Sequence, residues 1–297
     1  MKSHGIIGPD FLLIGAQKAG TAWLWTMLDQ HPETDLSRIK EIHYFGGREI
    51  YDKGRDWYYS HFNELDSSKI IGEGSTTYLY DYIPFWYNKS DELVVDKTLP
   101  PIPELITSEL PDIKIVVILR DPVCRAVSAY HHCMRKLSYG SKVSPLLGLQ
   151  KTATQFPKMR IVEYGYYARY IKLWQQFVSS ENMRILIFEE DVVQSPEKVL
   201  VDLFEFLGID PTFEPKNIRK RIHKSWIWPS IVVNYYTSPI SRKLSKYLCK
   251  IVNRLEFLDR FSYSERDIKF LRSKYLPEKE ELELLLNRNL DCWSYSK

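Results

Sequence analysis

Nowhere does the sequence bring two cysteines together. Cys124, Cys133, Cys249 and Cys292 are scattered, with no C-x-x-C pair and no Cys/His spacing of a metal knuckle. A disulfide framework and a structural zinc site are therefore not indicated, and free thiols in a reducing compartment are the expectation. Long apolar runs are also missing. The stretch Phe11–Ala16 is too short for a signal-peptide core, and no run approaches the roughly 20 residues of a membrane span. These absences predict a soluble, cytoplasmic protein with no membrane partner. Neither sign of charge dominates: 41 Lys and Arg face 38 Asp and Glu, a net charge of +3. That mild excess suits an anionic ligand and lacks the strongly basic footprint of a nucleic-acid binder. No repeat, low-complexity tract or linker divides the chain. One domain over residues 1–297 is expected, with a core from about 10 to 293 and a helical C-terminal segment at 264–293.

What is present near the N-terminus is a glycine-bracketed loop. Residues 15–22 read Gly-Ala-Gln-Lys-Ala-Gly-Thr-Ala, directly after the apolar run Phe11-Leu12-Leu13-Ile14 and before Trp23-Leu24-Trp25-Thr26-Met27-Leu28. A buried strand thus enters a loop that opens a helix. Glycines free the backbone N–H groups to point at one anion, and the helix N-terminus adds its dipole. A nucleoside-triphosphate loop places lysine after its second glycine and a magnesium-binding hydroxyl next. Here Thr21 stands where that lysine would be, Ala22 replaces the hydroxyl, and the lysine, Lys18, lies inside the loop. The loop is expected to hold a phosphate without a metal-bound triphosphate.

Further apolar runs at Ile70–Glu73, Ile113–Leu119 and Met183–Phe188 read as strands like Phe11–Gly15. Helical patterns at Thr21–Gln30, Pro122–Lys136, Tyr166–Ser179 and Ser195–Leu207 alternate with them. This alternation predicts an α/β fold: a P-loop-like, mainly parallel central β-sheet with helices on both faces. Ser195-Pro196-Glu197 reads as an N-cap with proline at the first helical position, and Gly208 as the glycine ending that helix. Ser264 to Leu290 reads as one or two charged helices broken at Pro277. Pro84–Pro103, Gly140–Arg160 and Pro211–Pro229 read as irregular, the first two long enough to be lids over an acceptor.

A second anion site follows from Ile115-Val-Val-Ile-Leu-Arg120-Asp-Pro-Val-Cys-Arg125-Ala-Val-Ser128-Ala-Tyr130. A buried strand delivers Arg120 at its carboxyl end, and Asp121-Pro122 starts a helix on which Arg125 and Ser128 share a face. Ligands of parallel sheets sit beyond the carboxyl ends of strands, so Arg120 and the Gly15–Thr21 loop open onto one edge. A guanidinium with a hydroxyl makes a phosphate clamp. Arg-Asp-Pro alone also fits a strand-end arginine paired with a helix carboxylate. Two strand-end anion sites in one sheet point instead to a ligand with phosphates at both ends.

Together these segments resemble the sulfotransferases that use 3′-phosphoadenosine 5′-phosphosulfate (PAPS), with fainter likenesses that set the chain near the heparan-type and bacterial branch. Gly15-Ala-Gln-Lys-Ala-Gly-Thr21 is similar to the family's 5′-phosphosulfate loop, and Arg120-Asp-Pro-x-x-Arg125-x-x-Ser128-x-Tyr130 to its 3′-phosphate motif. Lys40-Glu-Ile-His-Tyr-Phe45 resembles Lys-Glu-x-His-Phe-Phe of that branch. Gly72-Glu-Gly-Ser-Thr-Thr-Tyr-Leu79 resembles its Gly-Glu-x-[Ser/Thr]-Pro-x-Tyr-Leu, with Thr76 in place of proline. Gly165-Tyr-Tyr167, Asn217-Ile-Arg-Lys-Arg221 and the tail Tyr275-Leu-Pro277…Leu282…Asn289-Leu290-x-x-Trp293 also fit, so the likeness spans roughly residues 10–293.

The resemblance implies a sulfotransferase fold and sulfuryl transfer from PAPS by metal-free in-line displacement, leaving adenosine 3′,5′-bisphosphate. It implies that Gly15, Gln17, Lys18, Ala19, Gly20, Thr21, Ala22 and Trp23 surround the 5′-phosphate, the amides of residues 19–23 binding it. Lys18 would stabilise the departing phosphate. Arg120 and Ser128 would bind the 3′-phosphate, with Arg219, Lys220 and Arg221 closing over it and Tyr167 near the nucleotide. Glu41 matches the family's acidic base, and His43 is the other candidate, being suited to neutral pH. Glu73 could orient Lys18 or anchor hydrogen bonds. His131 and His132, about 100° apart on one helix, receive no role.

Two other readings stay open: a P-loop-type small-molecule kinase, and a non-catalytic nucleotide- or carbohydrate-binding module on the same fold. The missing Walker lysine and hydroxyl speak against the first, and the retention of Lys18 and Glu41 against the second. The acceptor would be a small molecule or a glycan, a hydroxyl ahead of an amine because a carboxylate base suits alcohol deprotonation. The insert Pro84–Pro103 is aromatic at Phe85, Trp86 and Tyr87 and acidic at Asp91, Glu92 and Asp96, which fits a small, even cationic, metabolite at least as well as a polyanionic glycan. No heptad or exposed stripe identifies an oligomer.

Overall fold

The computed structural model describes residues 8–84, 92–137, 141–220, 228–255 and 263–293. Its centre is a sheet of five strands, β1 (Phe11–Gly15), β2 (Thr34–Leu36), β3 (Ile70–Gly74), β4 (Lys114–Leu119) and β5 (Met183–Ile187), in the order β2-β3-β1-β4-β5. All four pairings are parallel. Phe11, Leu12, Leu13 and Ile14 have no exposed surface. Successive strand residues face opposite ways, so both faces of β1 are covered, as a continuous apolar run demands.

Eleven helices are described around this sheet: α1 (Thr21–Leu28), α2 (Arg48–Tyr51), α3 (Arg55–Tyr59), α4 (Ile102–Glu109), α5 (Pro122–Arg135), α6 (Leu149–Gln155), α7 (Tyr167–Trp174), α8 (Pro196–Leu207), α9 (Trp228–Thr237), α10 (Arg242–Val252) and α11 (Glu265–Leu286). The chain leaves β1 toward β2 and leaves β4 toward β5, in opposite directions. The crevice between the carboxyl ends of β1 and β4 is the switch point where such sheets bind ligands. Gly15 pairs with Val117 there, which brings the glycine loop and Arg120 to one edge.

The four expected strands form within one residue of their predicted limits. Strand β2 was not foreseen, because Thr-Asp-Leu carries no apolar run. Helix α8 begins with Pro196 and ends at Gly208 in the left-handed region (φ 80°), as expected, although the Ser195 side chain makes no capping hydrogen bond. Asp121 caps α5 instead, accepting from the amides of Val123 and Cys124 at 2.8 and 3.3 Å. Pro277 does not break the C-terminal helix: α11 runs through it. Tyr275 and Leu282 are buried on either side of the proline, and that packing outweighs the lost backbone bond. The stretches read as irregular contain the first two residues of α4, all of α6 and the start of α9.

Strands β1 and β3 pack closely at the paired residues Phe11 and Gly72. A Cβ on Gly72 would lie 2.2 Å from the Phe11 ring and 2.8 Å from Leu36. Gly72→Ala should cost about 1–3 kcal/mol through overpacking, read as a lower urea midpoint, and Phe11→Leu in the same chain should restore part of it. Equal, additive losses would show that the Phe11 ring is not the obstacle.

Candidate functional site

The loop after β1 is folded on itself. Ala16 N–H donates to Ile118 O on β4, and Ala19 N–H donates to Ala16 O. Gly20 (φ 99°) is the N-cap of α1, with no side-chain cap. A Cβ at Gly20 would lie 2.7 Å from the Phe188 ring, so both the dihedral and the contact call for glycine. Trp23 N–H is already committed to Gly20 O at 2.9 Å. The expected amide cradle of residues 19–23 therefore narrows to Gly20, Thr21 and Ala22, the last two in a first helical turn that has no intrahelical acceptor.

Arg120 ties this loop to β4. One guanidinium nitrogen donates to Lys18 O at 3.1 Å, and the group lies 5.1 Å from the centre of the Phe188 ring. Its Nε is buried with no hydrogen-bond partner among the described residues. An orphaned guanidinium N–H at a sheet edge is what an anion would satisfy. Ser128 lies one helical face along, half-buried on α5. Arg125 does not share its surroundings: it is fully buried, donates to Ile161 O, and sits among Tyr80, Tyr167 and Tyr275. Tyr167 is buried in the same place, so it reaches the site through the core rather than a cleft wall.

Positive charge converges on Lys18. Burial lowers its pKa first, followed by the charges of Arg135, Arg120 and Lys136. His132 is pushed down to about 4 by burial and then by Lys18, Lys136 and Arg135. Sequence reasoning passed over His132, Arg135 and Lys136. Their signal is helical spacing, since they follow Ser128 at four, seven and eight residues and continue its face. From Arg135 and Lys136 a groove of about 350 Å³ runs outward between α5 and the α9–α10 hairpin, lined also by Asn234, Arg242, Ser245 and Lys246.

Opposite the cations stands a hydrogen-bonded pair. His43 Nε2 lies 3.1 Å from Glu41 Oε2, and the Thr76 hydroxyl donates to the same oxygen at 3.0 Å. His43 Nδ1 lies 2.9 Å from Thr77 Oγ1. Burial depresses the His43 pKa, Glu41 opposes this, and Lys136 and Lys40 add to it. A neutral ring donating from Nε2 and accepting at Nδ1 satisfies both contacts. Glu41 and His43 have φ of 67° and 60°, and their backbone amides are pinned by Gly74 O and Ser75 Oγ. Lys40 Nζ is 3.9 Å from the other Glu41 oxygen, Oε1.

Glu73 lies beneath this pair as an anchor, fully buried. It accepts from Ser75 Oγ at 2.5 Å and Tyr58 Oη at 3.3 Å. Burial pushes its pKa up to about 7 against those hydrogen bonds. In the late loop, Trp23 Nε1 donates to Ile218 O at 2.7 Å and Lys216 N–H to Gln30 Oε1 at 2.8 Å, which docks residues 216–218 on α1. Arg219, two-thirds exposed, forks onto Glu197 at 2.9 and 2.8 Å, and Lys220 is exposed beside it. Arg221 and the insert residues Phe85, Trp86, Tyr87 and Asp91 lie outside the described residues. Asp96 is buried and bonded to Arg48 at 2.6 Å and to Thr98, so it is engaged inside the fold.

A family model described as "Sulfotransferase domain" matches residues 8–237. The Caenorhabditis elegans protein "Bifunctional heparan sulfate N-deacetylase/N-sulfotransferase 1" is 28% identical over 211 residues, 68% of this chain and 22% of its own length. The human "Heparan sulfate glucosamine 3-O-sulfotransferase 5" is 26% identical over 215 residues, 71% of this chain and 56% of its own length. The chain thus spans under a quarter of the first relative and just over half of the second. A solved sulfotransferase from Alicyclobacillus acidocaldarius has the same fold, with a TM-score of 0.65 at 21% identity, covering 97% of this chain and 99% of that one.

The raised pKa of Glu73 has a signed consequence. Its contribution to stability is complete below the usual carboxylate value of 4.5 and is lost as pH climbs through about 7. The melting temperature of the wild type should therefore fall relative to Glu73→Gln across that window, by circular dichroism. A pH-independent difference would mean that Glu73 ionises at its ordinary pKa.

Proposed function

This chain belongs to the sulfotransferase domain family, and we propose that it moves a sulfuryl group from PAPS to a hydroxyl of an anionic small molecule or glycan. The observation that carries this reading is the gathering of Lys18, Arg120, Arg135 and Lys136 at the carboxyl edge of the sheet, with Lys136 acting also on His43 of the Glu41–His43 pair. Mutually repelling cations beside an orphaned guanidinium suit a polyanion, and a carboxylate beside them suits proton removal from an oxygen acceptor.

The residues divide the work as follows. The Gly20–Ala22 amides and the Thr21 hydroxyl hold the 5′-phosphate, and Arg120 with Ser128 holds the 3′-phosphate. Lys220 and Arg219 reach over from the late loop, Arg219 exchanging Glu197 for phosphate. The sulfur–oxygen bond to the 5′-phosphate breaks as the bond to the acceptor oxygen forms. Lys18 faces the charge left on the phosphate oxygen. Glu41 Oε2 is occupied by His43 and Thr76, so Oε1 is the oxygen that takes the acceptor's proton. His43 positions that carboxylate. These contacts use charge and orientation alone, as in related group transfers.

The basic groove from Lys136 to Lys246 supports an anionic acceptor. With Asp96 held inside the fold by Arg48, the acidic insert offers a cation less than the sequence suggested.

Isothermal calorimetry with adenosine 3′,5′-bisphosphate in EDTA should show tight binding, lost in Arg120→Ala. Binding of ATP alone, and only with Mg²⁺, would return the kinase reading. With an acceptor in hand, Glu41→Gln should lower kcat about 10²–10⁴-fold while nucleotide binding stays unchanged. Wild-type turnover by Glu41→Gln would remove Glu41 as base.

A further inference from the structure

Helix α10 divides into three sectors around its axis at 100° per residue. The inner sector is fixed to α9: Ser245 and Cys249 are buried, Ser245 Oγ donates to Asn234 Oδ1 at 2.9 Å, and Cys249 Sγ donates to Ser230 O at 3.3 Å. A second sector is apolar and faces water. Leu244, Tyr247 and Ile251 are 47%, 64% and 44% exposed. Ile240, 79% exposed, and Leu255, 39% exposed, add large apolar side chains just before and just after the helix. The third sector is basic. Lys243, Lys250 and Arg254 run along the edge of the stripe, with Arg242 and Lys246 further round, and all five are exposed. None of the five pairs with a carboxylate among the described residues, and residues 228–255 contain no Asp or Glu.

We propose that the α9–α10 hairpin attaches this protein to an anionic lipid surface, with the Leu244–Tyr247–Ile251 stripe entering the headgroup boundary and Lys243, Lys250 and Arg254 meeting lipid phosphates. A projecting row of large apolar residues flanked by unneutralised cations is the pattern of a helix lying in a membrane interface. Tyrosine suits that depth, with its ring in the apolar zone and its hydroxyl in water. A second copy of the chain fits less well, because symmetric pairing of this face would set Lys243, Lys250 and Arg254 against the same three cations. The attachment is peripheral, since no described helix is long and apolar enough to cross a membrane. It adds a partner that the absence of a spanning run left unseen.

The test is flotation of the full chain with phosphatidylcholine vesicles made with and without phosphatidylserine. Wild type should float with the anionic vesicles and much less with the neutral ones, and added salt should weaken it. Tyr247→Asp/Ile251→Asp should cut partitioning about tenfold or more. Lys243→Gln/Lys250→Gln should cut it by a similar factor, at roughly fivefold per cation. Both variants change exposed positions, and unchanged melting temperatures would show that they fold. Failure of wild type to bind anionic vesicles, or wild-type-level binding by either variant, overturns the proposal. So does sedimentation equilibrium showing a wild-type dimer that Tyr247→Asp/Ile251→Asp dissociates, which would give the face to self-association. None of these readings depends on sulfuryl transfer, so the two proposals fail separately.

Discussion

Positive charge held partly out of water governs this site. Burial sets the largest penalty on a protonated Lys18, and the charges of Arg135, Arg120 and Lys136 add to it. Such an arrangement persists because the fold fixes each charge by other means. Arg120 is held by the Lys18 carbonyl and the Phe188 ring, and Arg135 and Lys136 ride on the last turn of α5. At that turn the helix carbonyls favour cations. An anion entering between them relieves the repulsion and stabilises the folded state by mass action.

The facing carboxylate depends on a relay of short polar contacts rooted in the sheet. Glu73 on β3 accepts from Ser75, Ser75 Oγ in turn accepts from the His43 amide, and His43 reaches Glu41. Thr76, which replaces a proline of the resembled motif, adds a hydroxyl to Glu41 that proline lacks. The two left-handed residues Glu41 and His43 are over-determined by these bonds, so neither needs to be glycine.

Much of this was legible in the chain. Four strands announced themselves as short apolar runs, unbroken in β1 and in β4 after Lys114 because a parallel sheet covered on both faces needs them, while the edge strand β5 carries an exposed Arg184. The glycine loop and Arg120 were legible because anion cradles depend on local order. What escaped needed three dimensions. Strand β2 draws its pairing from β3, not from its own Thr-Asp-Leu. Helical spacing set Arg125 on one face with Ser128, yet the core claims it. Glu41 and His43 read as rivals, whereas the fold makes them partners. His132, Arg135 and Lys136 were visible only by projecting α5 against a loop over a hundred residues earlier in the chain.

The segment Phe188–Asp191 meets distant parts of the chain. Phe188 fills the space a Cβ on Gly20 would need, Glu189 accepts from the Asp121 amide and from Trp293 Nε1, and Arg288 forks onto Glu190 and Asp191. A wall of the glycine loop is therefore braced by residues about 270 positions downstream of Gly20. During synthesis from the N-terminus, the glycine loop emerges early, but its brace cannot lock until Arg288 and Trp293 have left the ribosome. Such long-range closure ties the wall of the loop to the emergence of nearly the whole described chain, and local sequence alone cannot hold it.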